Sequence, residues 1–157
     1  MKGQARFVRL LEELQSTLAV IPPPIFVSPQ SPVQSSIGAH FRHIIEFCEQ
    51  LTIGYQDGIV SYDARNRSLE LESSPEMAKQ ALSKVRNKYA GINEDRNLIL
   101  SNDVGNCSTT FSRELQFLID HVVHHFAIIA IACRLAKLEV PIHAGWASAT
   151  LKDGRYK

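Results

Sequence analysis

The sequence predicts an all-α fold, a four-helix bundle with irregular loops and a C-terminal tail. Three observations support this prediction: four long segments carry apolar residues at helical spacing, almost no segment alternates as a strand does, and segments with proline or glycine separate the helices. Each such helix buries one apolar stripe, and packing the stripes together gives a bundle. At 157 residues the chain is long enough for one core, so residues 1–157 are expected to form a single domain.

The first predicted helix covers about residues 4–20. Its apolar residues recur at helical spacing: Phe7, Leu11, Leu14 and Leu18. The segment IPPPIFVSPQSP, residues 21–32, then ends the helix. It does so because proline lacks the amide proton and disfavours helix in the residue before it.

The second and third predicted helices have recognisable first residues. The second begins near Ser36, a good N-cap, and runs to about Gly54. The third opens with Ser74-Pro75-Glu76, in which serine caps, proline takes the first helical position and glutamate lies near the positive end of the helix dipole. It ends at Gly91. The stretch between the two helices, residues 58–73, is expected to be a connecting loop.

The last third of the chain combines a short hairpin with the longest helix. Two short runs, residues 97–101 and 104–108, flank Asn102-Asp103 and could pair as strands. The fourth helix is expected from about Thr110 to Leu138, and an irregular tail follows.

Composition excludes several classes of function. Lys and Arg total 17 against 16 Asp and Glu with no block of like charge, so neither a nucleic-acid nor an anionic-membrane partner is expected. The three cysteines lack a paired spacing, which suits a reducing cytosol. The N-terminus has charges within its apolar pattern and does not resemble a signal peptide. The apolar run from Val122 to Ile131 is too short to span a bilayer. A cytoplasmic protein is therefore expected.

The most informative residues are the histidines of the fourth helix. His121 and His125 are four positions apart, so both rings can point toward one metal ion, and the helical wheel places them on the core-facing surface. A third ligand must come from another element. The second helix offers His40 and His43, of which the wheel places His40 nearer the centre of the apolar stripe. The alternative is that these are core histidines bonded to carbonyl or carboxylate groups.

Two motifs resemble those of the DinB-like superfamily, also called the YfiT-like metal-dependent proteins. In the second helix, Ser36-Ile37-Gly38 followed by His43-Ile44-Ile45-Glu46 is similar to the family's Trp-Ser/Thr-Ile/Val-Gly and His-Leu-x-Asp, with Ser35 in place of the tryptophan. In the last helix, His121-Val122-Val123-His124-His125 reproduces the family's His-x-x-His-His. The likeness covers nearly the whole chain and extends to the tail, residues 144–151, with departures at Trp146, Ser148 and Ala149.

The resemblance implies a fold, a metal site and a class of chemistry. It implies a four-helix bundle in which His43, His121 and His125 hold a divalent metal ion, zinc or nickel being favoured, with His40 as the alternative to His43. It further implies a metal-dependent enzyme, with small-thiol-dependent transferase or hydrolase-type chemistry on an unknown small molecule. The alternative is a non-catalytic bundle, either metal-binding or a stress-linked interaction protein.

Further residues are candidates for supporting roles. Glu114 and His124 could support the metal ligands from a second layer of contacts, although Glu114 is also explained as a carboxylate in the first turn of its helix. Arg42, Arg65 and Arg67 could bind an anion beside the metal. A second apolar stripe lies opposite the histidines and predicts a homodimer interface, with the tail after Pro141 as the alternative cover; the stripe comprises Ile119, Val123, Phe126, Ala130 and Cys133.

Overall fold

A computed structural model of the chain describes residues 2–30, 34–147, 150 and 152. The helices in these residues are α1 (Lys2–Leu18), α2 (Pro23–Val27), α3 (Ile37–Asp57), α4 (Leu69–Ser73), α5 (Pro75–Ala90) and α6 (Phe111–Leu135). The strands are β1 (Pro29–Gln30), β2 (Ser35–Ser36), β3 (Ile59–Val60), β4 (Asn97–Asn102) and β5 (Gly105–Thr110). A single 3-10 turn covers Tyr62–Ala64.

The long helices α1, α3, α5 and α6 form the body of the domain. Both α1 and α3 pack against α5 and α6, so each long helix buries a stripe against two others. The core they enclose is apolar and includes Phe7, Leu11, Phe41, Ile44, Leu82, Tyr89, Leu118 and Phe126. The four predicted long helices are therefore present, with bounds that differ from the predicted ones by a few residues.

Serine and threonine side chains fix the beginnings of three of the long helices. The hydroxyl of Ser36 accepts a hydrogen bond from the amide of Ala39 at 3.0 Å, which begins α3 at the predicted residue. Ser74 and Thr110 cap α5 and α6 in the same way. Each bond satisfies an amide that the first helical turn leaves without a partner.

The prediction of an all-α fold needs correction, because the described residues also form a three-stranded sheet and the two-stranded pair β1–β2. Strands β4 and β5 form the predicted hairpin, longer than expected, and β3 adds to β4 in parallel. The sequence predicts a loop at Ile59–Val60, because a two-residue strand is too short to show alternation. Gly58 turns the chain with φ +82°, and its carbonyl accepts the amide of Ile99 at 2.8 Å, which brings β3 to the sheet edge.

Two five-residue helices lie in segments that the sequence predicts to be irregular. α2 begins at Pro23, where proline is tolerated because the first helical amides have no intrahelical partner. α4 is capped by Ser68 and lies close to α3. The approach depends on Gly38, because a Cβ at that position would be 2.0 Å from the backbone oxygen of Glu72.

The orientation of α6 also differs from the prediction. Its buried side centres on Ile119, Val122 and Phe126, whereas His125 and His121 lie roughly 90° and 130° to one side of that centre and are only half-buried. The histidines therefore lie at the margin of the core, next to α3, and not at its centre as the wheel predicted. This position leaves one side of the histidine pair accessible from solvent.

The stripe expected at a homodimer interface is mostly buried within the chain. Ile119, Phe126, Ala130 and Cys133 are at most 1% exposed, because α1 and the tail cover this side of α6. Gly145 brings the tail against α6: its φ is +77°, and a Cβ there would be 2.3 Å from the amide nitrogen of Ala127. The stripe thus gives no support to a dimer, which stays a prediction. The tail positions Ser148, Ala149 and Leu151 lie outside the described residues.

The apolar character of α6 is explained by the core. α6 has 25 residues, and its most apolar window of 18 residues has a mean hydropathy of 1.6, so by length and composition alone it could cross a membrane, whereas the shorter run from Val122 to Ile131 predicts that it could not. Its buried side chains pack against α1 and α3, as in the core helix of a soluble protein.

Candidate metal centre

Three histidine side chains converge between α3 and α6. His43 comes from α3, while His121 and His125 come from α6, one helical turn apart. The Nε2 atoms of His43 and His121 are 2.9 Å apart, and one ring nitrogen of each of the three residues lies within 4.8 Å of the others. Two nitrogen ligands of a tetrahedral zinc ion are about 3.3 Å apart, given bonds of about 2.0 Å. The three imidazoles therefore fit the ligand set that the resemblance implies.

The surroundings keep these imidazoles neutral. Burial, reinforced by the neighbouring histidines, lowers the pKa of His43 to about 4 and that of His125 to about 3. Burial likewise lowers the pKa of His121, with smaller effects of His124 and Arg65. A neutral imidazole has the lone pair that a metal ion needs, whereas an imidazolium has none. The cluster is thus in a metal-binding protonation state at neutral pH.

Aromatic side chains hold the His121 ring in place. Phe47, one turn after His43 on α3, stacks on His121 with ring centroids 4.2 Å apart. Phe117, one turn before His121 on α6, stacks on the same imidazole at 5.7 Å. Tyr62 extends the group by stacking on Phe47 at 4.9 Å. Packing of this kind restricts the ring to few orientations, which favours a preformed ligand.

The remaining histidines have different positions. His40 lies outside the group of three, and its Nδ1 and Nε2 atoms approach His125 Nδ1 at 3.0 Å and Ser35 Oγ at 2.7 Å. His124 is exposed, and its ring touches that of His125 edge-on. His143 is exposed in the tail. Of the two candidates on the second predicted helix, the structure therefore places His43 at the centre and His40 behind His125.

Glu114 is buried away from the imidazoles. It is 1% exposed, and its carboxylate accepts hydrogen bonds from the Thr109 hydroxyl at 2.7 Å, the Tyr62 hydroxyl at 3.1 Å and Arg113 at 3.3 Å. None of these described partners is a histidine, so Glu114 does not directly orient a metal ligand. It instead ties the hairpin and the turn at Tyr62 to the first turn of α6. Through Tyr62 and Phe47 it supports the aromatic packing on His121.

Two of the three candidate arginines lie near the cluster. Arg42 forms an ion pair with Glu72 at 2.5 Å, and Arg65 lies over the Phe47 ring at 4.7 Å. Both guanidinium groups contribute to lowering the pKa of His43, after burial and His121. The Nε atoms of Arg42 and Arg65 are buried without a hydrogen-bond partner. Arg67 is exposed.

A pocket of about 310 Å³ adjoins the cluster of His43, His121 and His125. Phe47 and Phe117 line it, and the same two rings pack on His121. The wall is completed by Tyr62, Asp63, Leu100, Ser101, Asn102, Arg113 and Glu114. A volume of this size, apolar with a few polar groups, is at the lower end of that typical of small-molecule sites.

Sequence reasoning missed part of this site. Phe47 and Tyr62 were not recognised as functional candidates, although an aromatic residue one turn after a candidate ligand is a usable signal for Phe47. No local signal identifies Ser35, because it precedes the helix and reaches His40 across its first turn. The two buried thiols are not reactive candidates: burial raises the pKa of Cys48 and raises that of Cys133 to about 11.

Comparisons with known proteins identify the fold. No protein-family model matches the chain. The chain is 30% identical over 104 residues to FK506-binding protein 5 from Rhizopus delemar, a match that covers 60% of this chain and 27% of that protein. The crystal structure of a DinB-like protein (YjoA) from Bacillus subtilis superposes with a TM-score of 0.70 at 16% identity, covering 92% of this chain and 99% of the other.

These comparisons confirm the DinB-like fold that the two histidine motifs predict. At 16% identity the superposition shows that the fold is shared, but it does not identify a reaction. The chain spans about a quarter of the length of the curated relative it matches.

Proposed function

We propose that this chain is a metal-dependent enzyme that holds one divalent ion through His43, His121 and His125. The observation that carries the proposal is the convergence of three neutral imidazoles from two packed helices, within 4.8 Å of one another. Histidines that only fill a core need a hydrogen-bond partner for each buried ring nitrogen, and this need does not direct three nitrogens at one point.

The arrangement supports a catalytic site over a structural one. Structural zinc sites are closed by four protein ligands, whereas catalytic sites have three and keep a position for water or substrate. Here the described residues supply three ligands at the half-buried margin of the bundle. When bound, a divalent ion lowers the pKa of a coordinated thiol or water so that a nucleophile exists at neutral pH. Imidazole ligands suit zinc and nickel, the ions we propose.

The chain's own side chains bind and orient the reactants in this proposal. Phe47 and Phe117 fix the His121 ring and also line the adjoining pocket, which receives the apolar part of the substrate. Arg42 and Arg65 give the neighbourhood of His43 a positive potential, which favours an anionic nucleophile such as a thiolate or hydroxide. The substrate is an unidentified small molecule, and the reaction is either thiol transfer or hydrolysis.

Metal content and turnover test the proposal together. Purified protein should contain one zinc or nickel ion per chain by elemental analysis, and the variants His43→Ala, His121→Ala and His125→Ala should each lose it. His143→Ala is the matched control, because His143 is exposed in the tail. Full metal content in any of the three ligand variants would contradict the assignment.

Activity separates the enzyme from its alternative. Glutathione or cysteine with 1-chloro-2,4-dinitrobenzene probes thiol transfer, and p-nitrophenyl acetate probes hydrolysis. We expect one of these activities to be lost on chelation and restored by added zinc or nickel. Metal binding without turnover of either probe would favour the non-catalytic, metal-binding bundle.

A further inference from the structure

Among the hydrogen bonds of the described residues, His125 is the one candidate ligand of the three that is bonded to a side chain outside the cluster. Its Nδ1 atom lies 3.0 Å from Nδ1 of His40, and Nε2 of His40 lies 2.7 Å from the hydroxyl of Ser35. The side chains of His125, His40 and Ser35 thus form a hydrogen-bonded row that ends at the Ser35 hydroxyl. Ser35 belongs to β2, which pairs with β1, so the row is fixed to a strand pair at the start of α3.

The row has two possible proton arrangements. In the first, the Ser35 hydroxyl donates to Nε2 of His40, whose Nδ1–H donates to Nδ1 of His125, which leaves the proton of His125 on Nε2. In the second, Nδ1–H of His125 donates to Nδ1 of His40, whose Nε2–H donates to Ser35. Only the second arrangement leaves a lone pair on Nε2 of His125 for a metal ion.

We propose that His40 is a positioning residue: it accepts the Nδ1 proton of His125 and so fixes the tautomer and ring orientation in which His125 binds the metal through Nε2. Ser35 completes the row by accepting from His40. This inference rests on the proposed metal site. A hydrogen bond to the far nitrogen of a ligand histidine is the usual means by which proteins orient such ligands.

His43 and His121 are positioned by contacts with an aromatic ring, whereas His125 depends on its hydrogen bond to His40. His43 and His121 both pack against the ring of Phe47, at 4.5 and 4.2 Å. The ring contacts of His125 are with other histidines, namely His40, His43, His121 and His124. Without an aromatic wall, its orientation depends on the hydrogen bond to His40.

Zinc affinity tests the proposal, measured by competition with a chromogenic chelator. His40→Ala should bind one zinc ion per chain with a Kd raised about 10- to 100-fold, the usual effect of losing such a partner. His40→Asn should recover most of the affinity, because the Asn side-chain oxygen can replace Nδ1 as acceptor. Ser35→Ala should raise Kd less, and the control His143→Ala not at all.

Nitrogen NMR of the wild-type protein with ¹⁵N-labelled histidine keeps the test independent of folding defects in the variants. With zinc bound, His125 should carry its proton on Nδ1 and show a metal shift at Nε2, while His40 should be protonated on Nε2 with no metal-bound nitrogen. A metal shift on His40, or zinc on Nδ1 of His125, would overturn the proposal. So would unchanged affinity in His40→Ala.

The two proposals fail in different ways. If the wild-type protein binds no divalent ion, the proposed function fails. If the wild type binds zinc and the His43, His121 and His125 variants lose it, the metal site stands. In that case an unchanged Kd in His40→Ala refutes only the role of His40. Loss of zinc from His40→Ala with full retention in His43→Ala would instead make His40 the ligand.

Discussion

Substitution of Gly38 by alanine tests the close approach of α4 to the helix that carries His43. A Cβ at position 38 would be 2.0 Å from the backbone oxygen of Glu72 and 2.7 Å from Cε1 of Phe26. Contacts below 3.0 Å require the neighbours to move, and the nearest neighbour here is a backbone atom that cannot rotate away. The α4 segment must therefore move by about 1 Å, which disturbs the ion pair between Arg42 and Glu72.

The expected destabilisation follows from two opposing effects. Forcing an extra methyl group into a packed contact costs about 1–3 kcal/mol. Replacing glycine within a helix favours folding by about 0.5–1 kcal/mol. The net expectation for Gly38→Ala is a loss of roughly 1–2 kcal/mol in the free energy of unfolding, or about 2–8 °C in Tm for a domain of this size.

Thermal melts of the metal-free protein provide the assay. Gly3→Ala is the matched control: it is also a helical glycine, but its added Cβ would be 3.7 Å from the side chain of Leu115, an ordinary contact. We expect the control to melt at or slightly above the wild type and Gly38→Ala to melt below both. A Gly38→Ala protein that melts as high as Gly3→Ala would refute the close approach of α4 to α3.

Three further predictions concern pH, a buried hydrogen bond and association. Burial lowers the pKa of His43 to about 4 and that of His125 to about 3, whereas histidines of an unfolded chain titrate near 6.5. As the pH falls, the unfolded state therefore binds protons at a higher pH than the folded state does. Urea denaturation of the metal-free protein should thus show its unfolding free energy falling between about pH 6.5 and pH 4, and a flat profile would contradict this sign. Tyr89→Phe removes a buried hydrogen bond of 2.9 Å to the carbonyl of Cys48 and should cost about 1 kcal/mol in urea; no change in the denaturation midpoint would show that this bond is unimportant. Phe126 is 1% exposed within the chain, so Phe126→Asp should abolish cooperative unfolding. If sedimentation instead shows a dimeric wild type and a folded, monomeric Phe126→Asp variant, Phe126 lies at a dimer interface.

The elements that sequence predicts best are those with strong local signals. Capping serines and helix-length apolar stripes located α3 and α5 to within a few residues, because both signals depend only on nearby positions. The two short helices and β3 were missed. β3 exists only because β4 supplies its hydrogen bonds from about 40 residues away, and a pattern of two residues contains no periodicity.

Among the candidate metal ligands, too, the sequence predicts what depends on local spacing and does not predict what depends on how two helices pack. The spacing of His121 and His125 is a local property of one helix, and it places both rings together in the structure as predicted. The choice between His40 and His43 depends on how α3 is rotated against α6, which the wheel could not determine. The resemblance selected His43, and the structure places that residue in the cluster, although the wheel favoured His40.

The rotation of α6 explains why the sequence predicted the wrong core-facing side for this helix. It also explains why the histidine cluster is accessible from solvent. Apolar residues surround much of this helix, so its own sequence offers two candidate core faces, and only the positions of α1 and the tail decide between them. Those elements cover the side with Ile119 and Phe126, which turns the histidines to the margin beside α3. A ligand set at the centre of the bundle would be closed to solvent. At the margin, next to the pocket lined by Phe47 and Phe117, the same three imidazoles are half-buried, so an ion held by them as we propose would be open to a small molecule from solvent.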